Sequence, residues 1–160
     1  MTLQSVLTLI TNIIIRKKNI IMKIEKYNKL PNDAMKVRDT VFCKEQGLVD
    51  VPDDTDDVAV HFLLYNDDMI PVGTCRVFKE GNTYILGRLA VLKEYRGKGF
   101  GSQIVRSAEE HIRCIGGESL MLHSQCSAAP FYKSLGYLEE GEPDEVQGCL
   151  HIWMKKDFNK

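Results

Sequence analysis

The 160-residue sequence lacks any C-x-x-C pair, internal repeat or low-complexity tract. Its cysteines, Cys43, Cys75, Cys114, Cys126 and Cys149, are odd in number and far apart. That pattern excludes a disulfide framework and a zinc ribbon, and reads as free thiols in a reducing cytoplasm. The histidines, His61, His111, His123 and His151, show no ligand-like spacing, so no metal is expected. An excess of charge of one sign is missing too. A formal net charge of -1 supplies no basic field for DNA, so nucleic acid is not an expected partner. What is present, 44% hydrophobic and 27% charged residues, is the composition of a folded soluble domain. The length suits one domain with a substantial core.

The N-terminus is unusual. Met1 to Ile15 carry no charge, and Arg16-Lys17-Lys18 follow. A secretory signal places its positive charge before the apolar run, and the run is shorter than the ~20 residues that span a bilayer. Neither export nor a membrane partner is expected. Leu3, Leu7, Ile10 and Ile14 share one helical face. The preferred reading makes residues 1–21 an upstream extension, with Met22 the natural start and 22–160 a single domain.

From Met22 the chain alternates strand-like and helix-like patterns. Lys23 to Tyr27 alternates as a strand, and Pro31 opens a helix carrying Ala34, Val37, Val41 and Phe42, closed by Gly47. A loop rich in aspartate follows (Asp50, Asp53, Asp54, Asp56, Asp57), expected to be a solvated surface. Val58–Tyr65, Ile70–Phe78 and Thr83–Leu92 form an antiparallel meander. A glycine-rich turn then leads into a helix whose apolar stripe is Phe100, Ile104, Ala108, Ile112 and Ile115. Leu120-Met121-Leu122 reads as a buried strand. Ser127 to Leu135 reads as a helix capped by Ser127, and Cys149–Lys155 as the last strand. The order β-α-β-β-β-α-β-α-β describes an α+β fold on one mixed sheet.

The turn Arg96-Gly97-Lys98-Gly99-Phe100-Gly101 carries the chemistry. The first N–H groups of a helix lack intrahelical partners, and the helix dipole places partial positive charge there. Glycines let a phosphate approach those donors, while Arg96 and Lys98 add cations. Rival phosphate motifs fail on spacing. A dinucleotide fingerprint starting at Gly97 needs Gly or Ala at 102, which is Ser, and a Walker loop is absent.

The stretch from Leu89 to Gly101, L-A-V-L-K-E-Y-R-G-K-G-F-G, resembles the acetyl-CoA motif R/Q-x-x-G-x-G/A of the GNAT superfamily of N-acyltransferases. Phe131-Tyr132-Lys133-Ser134-Leu135-Gly136-Tyr137 is similar to that family's later F-Y-x-x-L-G-F. Arg38, Val41, Phe42, Glu45, Gln46 and Gly47 resemble the R-x-x-V-F-x-x-E-Q-G of one small bacterial branch. His123-x-Gln125 and Gly148-x-x-His151 fit that branch too.

The resemblance implies a GNAT-like, mainly antiparallel sheet flanked by helices. It also implies an N-acetyltransferase that moves the acetyl group of acetyl-CoA to a small-molecule primary amine by direct attack. Leu89, Ala90 and Val91 would pair with the pantetheine arm, and the backbone from Arg96 through Gly97, Lys98, Gly99, Phe100 and Gly101 to Ser102 would bind the pyrophosphate. Tyr132 stands at the position of the general acid, and Gln125 at a residue that bonds the cofactor. The base stays open among His123, His151, Glu45, the aspartate loop and relayed water, with Glu45 and His151 on the substrate side. A non-catalytic acyl-CoA sensor is the alternative. Pairing of two copies through a sheet edge stays equally open.

Overall fold

A computed structural model describes residues 22–159, so the reading of residues 1–21 lies outside the described residues. Among the described residues seven strands form one sheet: β1 (Lys23–Tyr27), β2 (Val60–Tyr65), β3 (Pro71–Glu80), β4 (Thr83–Val91), β5 (Ser119–Gln125), β6 (Leu138–Val146) and β7 (Cys149–Asp157). Their spatial order is β1-β2-β3-β4-β5-β7-β6. Neighbours run antiparallel except β4 and β5, which are parallel. Among the described residues the α-helices are α1 (Asn32–Arg38), α2 (Asp54–Val58), α3 (Phe100–Cys114) and α4 (Ala129–Ser134).

The long helix α3 packs through Phe100, Ile104, Val105, Ala108 and Ile112, each at most 5% exposed, against the inner face of β2 to β5. Ile115, expected on that stripe, instead stands just past the helix end and is 52% exposed. Helix α1 lies over the opposite face of the sheet and continues as a π-helical segment, Asp39–Glu45, ending at Gly47 with φ 68°. The helix expected from Pro31 is therefore present, with its last turns widened. Such π segments are rare and gather at functional sites. At α4, Pro130 lies in the first turn as expected, but the cap differs. Cys126–Ala128 is a 3-10 turn, and Ser127 makes no capping bond.

Two further readings are corrected. Strand β6 was not anticipated, because L-E-E-G-E-P-D-E-V has no alternation of apolar and polar residues. It is an edge strand exposed along its whole length, so neither of its faces needs apolar side chains. The aspartate-rich segment is not a solvated loop. Asp53 caps α2 in a reciprocal capping box with Asp56, and Asp50 and Asp56 are buried.

Those carboxylates meet three arginines. Arg38, 1% exposed, donates from Nε and Nη2 to the two oxygens of Asp50 (2.7 Å each) and from Nη1 to Asp56 (2.9 Å). Arg76 Nη1 donates to Asp56 (2.7 Å) and Asp53 (2.5 Å), and Arg88 Nε donates to Asp50 (2.9 Å). Burial pushes the Asp56 carboxyl up, yet the bonds from Arg76 and Arg38 outweigh it and hold it at about 2. This network ties α1, the segment after it, β3 and β4 into one unit.

Candidate functional site

The site begins where the sheet opens. The parallel strands β4 and β5 pair only at Ile85–Met121 and Leu86–Leu122. Beyond those rungs Gly87–Val91 and His123–Gln125 diverge. At the same point β4 carries a bulge, with Arg88 and Leu89 facing Cys75 alone, and Arg88 has φ 53°. Bulges of this kind re-aim side chains beside active sites. Here the bulge directs the Arg88 guanidinium to Asp50 and Asp53 at the edge of the opening.

Two cavities fill the gap. The outer one, about 500 Å³, runs from Leu89, Ala90 and Val91 along the glycine turn to Ser102. The inner one, about 290 Å³, reaches past Phe42, Arg88 and His123 to Gln147 and His151. They share Gln46, Leu89, Ala128 and Tyr132. Two residues that line the inner cavity clasp one another. Val49 N–H donates to Gln147 Oε1 (2.9 Å), and Gln147 Nε2 donates to the Val49 carbonyl (3.2 Å).

The glycine turn has the geometry that its spacing predicted. Gly97 and Gly99 have φ 72° and 82°, where other residues are strained, and a Cβ on either would project into open space. At Gly101 a Cβ would stand 3.3 Å from the Phe131 ring. Helix α3 starts at Phe100, directly after Gly99, without any side-chain cap, so its first N–H groups face the outer cavity unpartnered by a cap. Such a cradle fits a diphosphate.

The two cations are engaged elsewhere. Arg96 grips Glu45 bidentately (2.5 and 2.8 Å) and donates from Nε to the Val91 carbonyl (2.9 Å), while its own N–H is bonded to the Lys93 carbonyl. Lys98 folds back to the Glu94 carbonyl (3.1 Å) and over the Tyr95 ring. Glu45 thus sits beside the glycine turn and not in the inner cavity, its carboxyl held down by the bond from Arg96.

Tyr132, 7% exposed, lies between the cavities, packed edge-on against Phe131 and Tyr137. Its hydroxyl has no hydrogen-bond partner among the described residues. Burial pushes its phenol up, with the nearby Cys75 adding to the shift, so it stays protonated well above neutrality.

His123 and His151 both line the inner cavity, their rings 5.0 Å apart. His123 stacks on Trp153 (4.6 Å, 17°), and its Nε2 lies 2.7 Å from Asp144. His151 Nδ1 donates to the Cys149 carbonyl (2.9 Å). Gln125 also belongs to the inner cavity and donates to Gln46 Oε1 (2.9 Å).

The sequence reading missed Arg88 and Gln147, which line the inner cavity, and Asp144, which stands behind His123; Asp50, named there only within the aspartate loop, is a buried wall of that cavity. A lone arginine inside an otherwise apolar strand was the one available signal, and it pointed to Arg88.

The chain belongs to the GNAT acetyltransferase domain family: residues 42–158 match the model described as "Acetyltransferase (GNAT) domain". It is an acyl-CoA-dependent acetyltransferase by that membership and by its relatives. One Bacillus subtilis (strain 168) protein that bears the name acetyltransferase is 38% identical over 77% of this chain and 86% of its own. The N-acetyltransferase YjcF of the same organism is 33% identical over 88% of this chain and 99% of its own.

Among solved structures, an N-acetyltransferase from Lactobacillus plantarum superposes with a TM-score of 0.78 at 29% identity, covering 85% of this chain and 97% of its own. Another Bacillus subtilis acetyltransferase, solved in complex with CoA, gives 0.67 at 15% identity over 86% and 99%, a likeness of fold alone.

Proposed function

We propose that this enzyme transfers the acetyl group of acetyl-CoA to the primary amine of a small molecule, both substrates being bound together. The observation that carries this reading is the meeting of the two cavities at Tyr132. One cavity has a diphosphate cradle at its end, the other has two imidazoles in its wall, and a buried phenol with a free hydroxyl stands between them. The CoA complex of a protein with the same fold supports the assignment of the outer cavity. The glycine-turn backbone holds the pyrophosphate, and the open edge of β4 at Leu89 to Val91 receives the pantetheine arm. The clasped inner cavity of about 290 Å³ suits a small acceptor better than a protein segment.

The amine must lose a proton and the thiolate must gain one. An ammonium with a pKa near ~10.4 costs roughly 4 kcal/mol to deprotonate at neutral pH, which calls for a base. Glu45 is committed to Arg96, and the buried carboxylates are committed to arginines, so among the side chains the imidazoles remain. His123 is the stronger choice because a carboxylate stands behind it. Tyr132 supplies the proton to sulfur. Burial raises its phenol, which keeps the proton on Tyr132 until the thiolate forms.

An acetylation screen over amino sugars, polyamines, amino acids and other small amines, read by mass spectrometry, tests the proposal. Turnover of at least one amine is expected. Binding of acetyl-CoA with no acetylated product from any class would favour a non-catalytic acyl-CoA sensor. On the amine found, Tyr132→Phe should lower kcat by about 10²-fold while the Kd for acetyl-CoA, measured by calorimetry, stays within about twofold. An unchanged kcat would remove Tyr132 from the chemistry.

A further inference from the structure

Strand β6 has a feature that edge protection does not require. Glu140 faces Trp153 on β7, and Asp144 faces His151. Four residues therefore advance on β6 while two advance on β7, so Gly141, Glu142 and Pro143 form a bulge. Gly141 has φ 75°, and Pro143, which has no N–H, removes a donor from the ladder. The consequence reaches across a whole strand. His123 lies on β5, directly opposite Trp153, and β7 separates it from β6. Asp144 nevertheless spans β7 and brings Oδ1 to 2.7 Å from His123 Nε2, while Trp153 stacks beneath the imidazole.

We propose that Asp144 is the positioning residue of the base, forming with His123 a carboxylate–imidazole pair aimed into the acceptor cavity by the β6 bulge. The inference rests on the reading of His123 as the base. An ionised carboxylate only accepts, so the proton sits on Nε2 and is donated to Asp144. Nδ1 then carries the lone pair, and it has no hydrogen-bond partner among the described residues. The ammonium first loses one proton to solvent through Nδ1; as the neutral nitrogen then bonds to the acetyl carbon, its second proton passes to Nδ1. The C–S electrons leave with sulfur, which takes the Tyr132 proton. The imidazolium formed is held by Asp144, which stays ionised throughout. Exchange with solvent returns a proton to Tyr132 and removes one from His123. Trp153 and Asp144 together keep the ring from rotating away, which is how a partner behind a histidine contributes to proton transfer.

Two experiments test this. In the first, ring-nitrogen chemical shifts of His123 are recorded by NMR in the full chain and in Asp144→Asn, with no substrate needed. A change in the Nε2 signal is expected, and identical shifts in both proteins would overturn the proposal. In the second, kcat and KM are measured on the amine identified above for Asp144→Asn, His123→Ala and the double variant. Asp144→Asn should lower kcat about tenfold with KM and the melting temperature little changed. Asp144 is 55% exposed on an edge strand, so folding should survive. In the His123→Ala background the same change should have no further effect, because Asp144 acts through the ring. A kcat that falls in His123→Ala and stays at wild-type level in Asp144→Asn, or losses that simply add, would overturn the role of Asp144 alone. Wild-type kcat in His123→Ala would take down the base assignment and the pair with it.

Discussion

Gly99→Glu is expected to weaken acetyl-CoA binding at least 100-fold in a calorimetric titration, while the protein remains folded. Two effects coincide at this position. With φ 82°, Gly99 adopts a backbone that costs other residues about 1–2 kcal/mol, and its Cβ direction opens onto empty space in front of the cradle. A glutamate there fills the room that a diphosphate needs and sets a negative charge against two more. The strain alone should lower the melting temperature by only about 2–8 °C. Gly99→Ala separates the contributions, since it carries the strain without the charge or the bulk, and should keep most of the affinity. Wild-type binding by Gly99→Glu would mean that the glycine turn is a connection and nothing more.

The second large effect falls on stability. Asp56→Asn should destabilise the fold by about 3–5 kcal/mol, a drop of about 10 °C or more in melting temperature. The carboxylate of Asp56 is 2% exposed and serves both Arg38 and Arg76, which are 1% and 5% exposed. Neutralising it leaves two guanidiniums short of an anion in a place water cannot reach. Arg76 has no slack to absorb the loss, because its Nε is already buried without a partner among the described residues. Asp54, on the exposed side of the same helix, is the control, and Asp54→Asn should change stability by less than about 0.5 kcal/mol.

The pH dependence carries the same signature. Asp56 is held at about 2 in the folded protein, below the ~3.9 of an unfolded chain. Its contribution is therefore fully present above about pH 4 and is lost as pH falls through 2, amounting to roughly 2–3 kcal/mol. Denaturant titrations at pH 7, 4, 3 and 2 should show this loss in the wild type. They should show a shallower acid dependence in Asp56→Asn, and parallel curves would remove Asp56 as its source.

The parts of this enzyme that were legible from sequence are those whose physics is local. The glycine turn could be read because positive φ, unpaired helix N–H groups and anion affinity all arise within a few consecutive residues from Arg96 to Ser102. The meander and the face of α3 could be read because apolar periodicity reports which side is buried. Ile115 misled only because the helix ends one residue before it. Strand β6 was illegible for the converse reason. An edge strand exposed on both faces has no burial to impose a pattern, and its hydrogen bonds are invisible in side-chain chemistry.

The inner cavity depended on contacts between residues far apart in the chain. An aspartate-rich run reads as solvated until three arginines from α1, β3 and β4 converge on it, and nothing in the run itself announces them. Glu45 meets Arg96 across 51 positions, and Gln147 closes on Val49 across 98. Asp144 reaches His123 only because a bulge shifts the register of β6 by two residues. The sequence by itself determined the class of fold and the geometry of the glycine turn, since propensity, periodicity and helix-end electrostatics act over short stretches. The tertiary structure alone decided which carboxylates are buried, where Glu45 is spent and what stands behind His123. Ion pairs and proton-transfer partners are set by distances in space, which spacing along a chain does not encode.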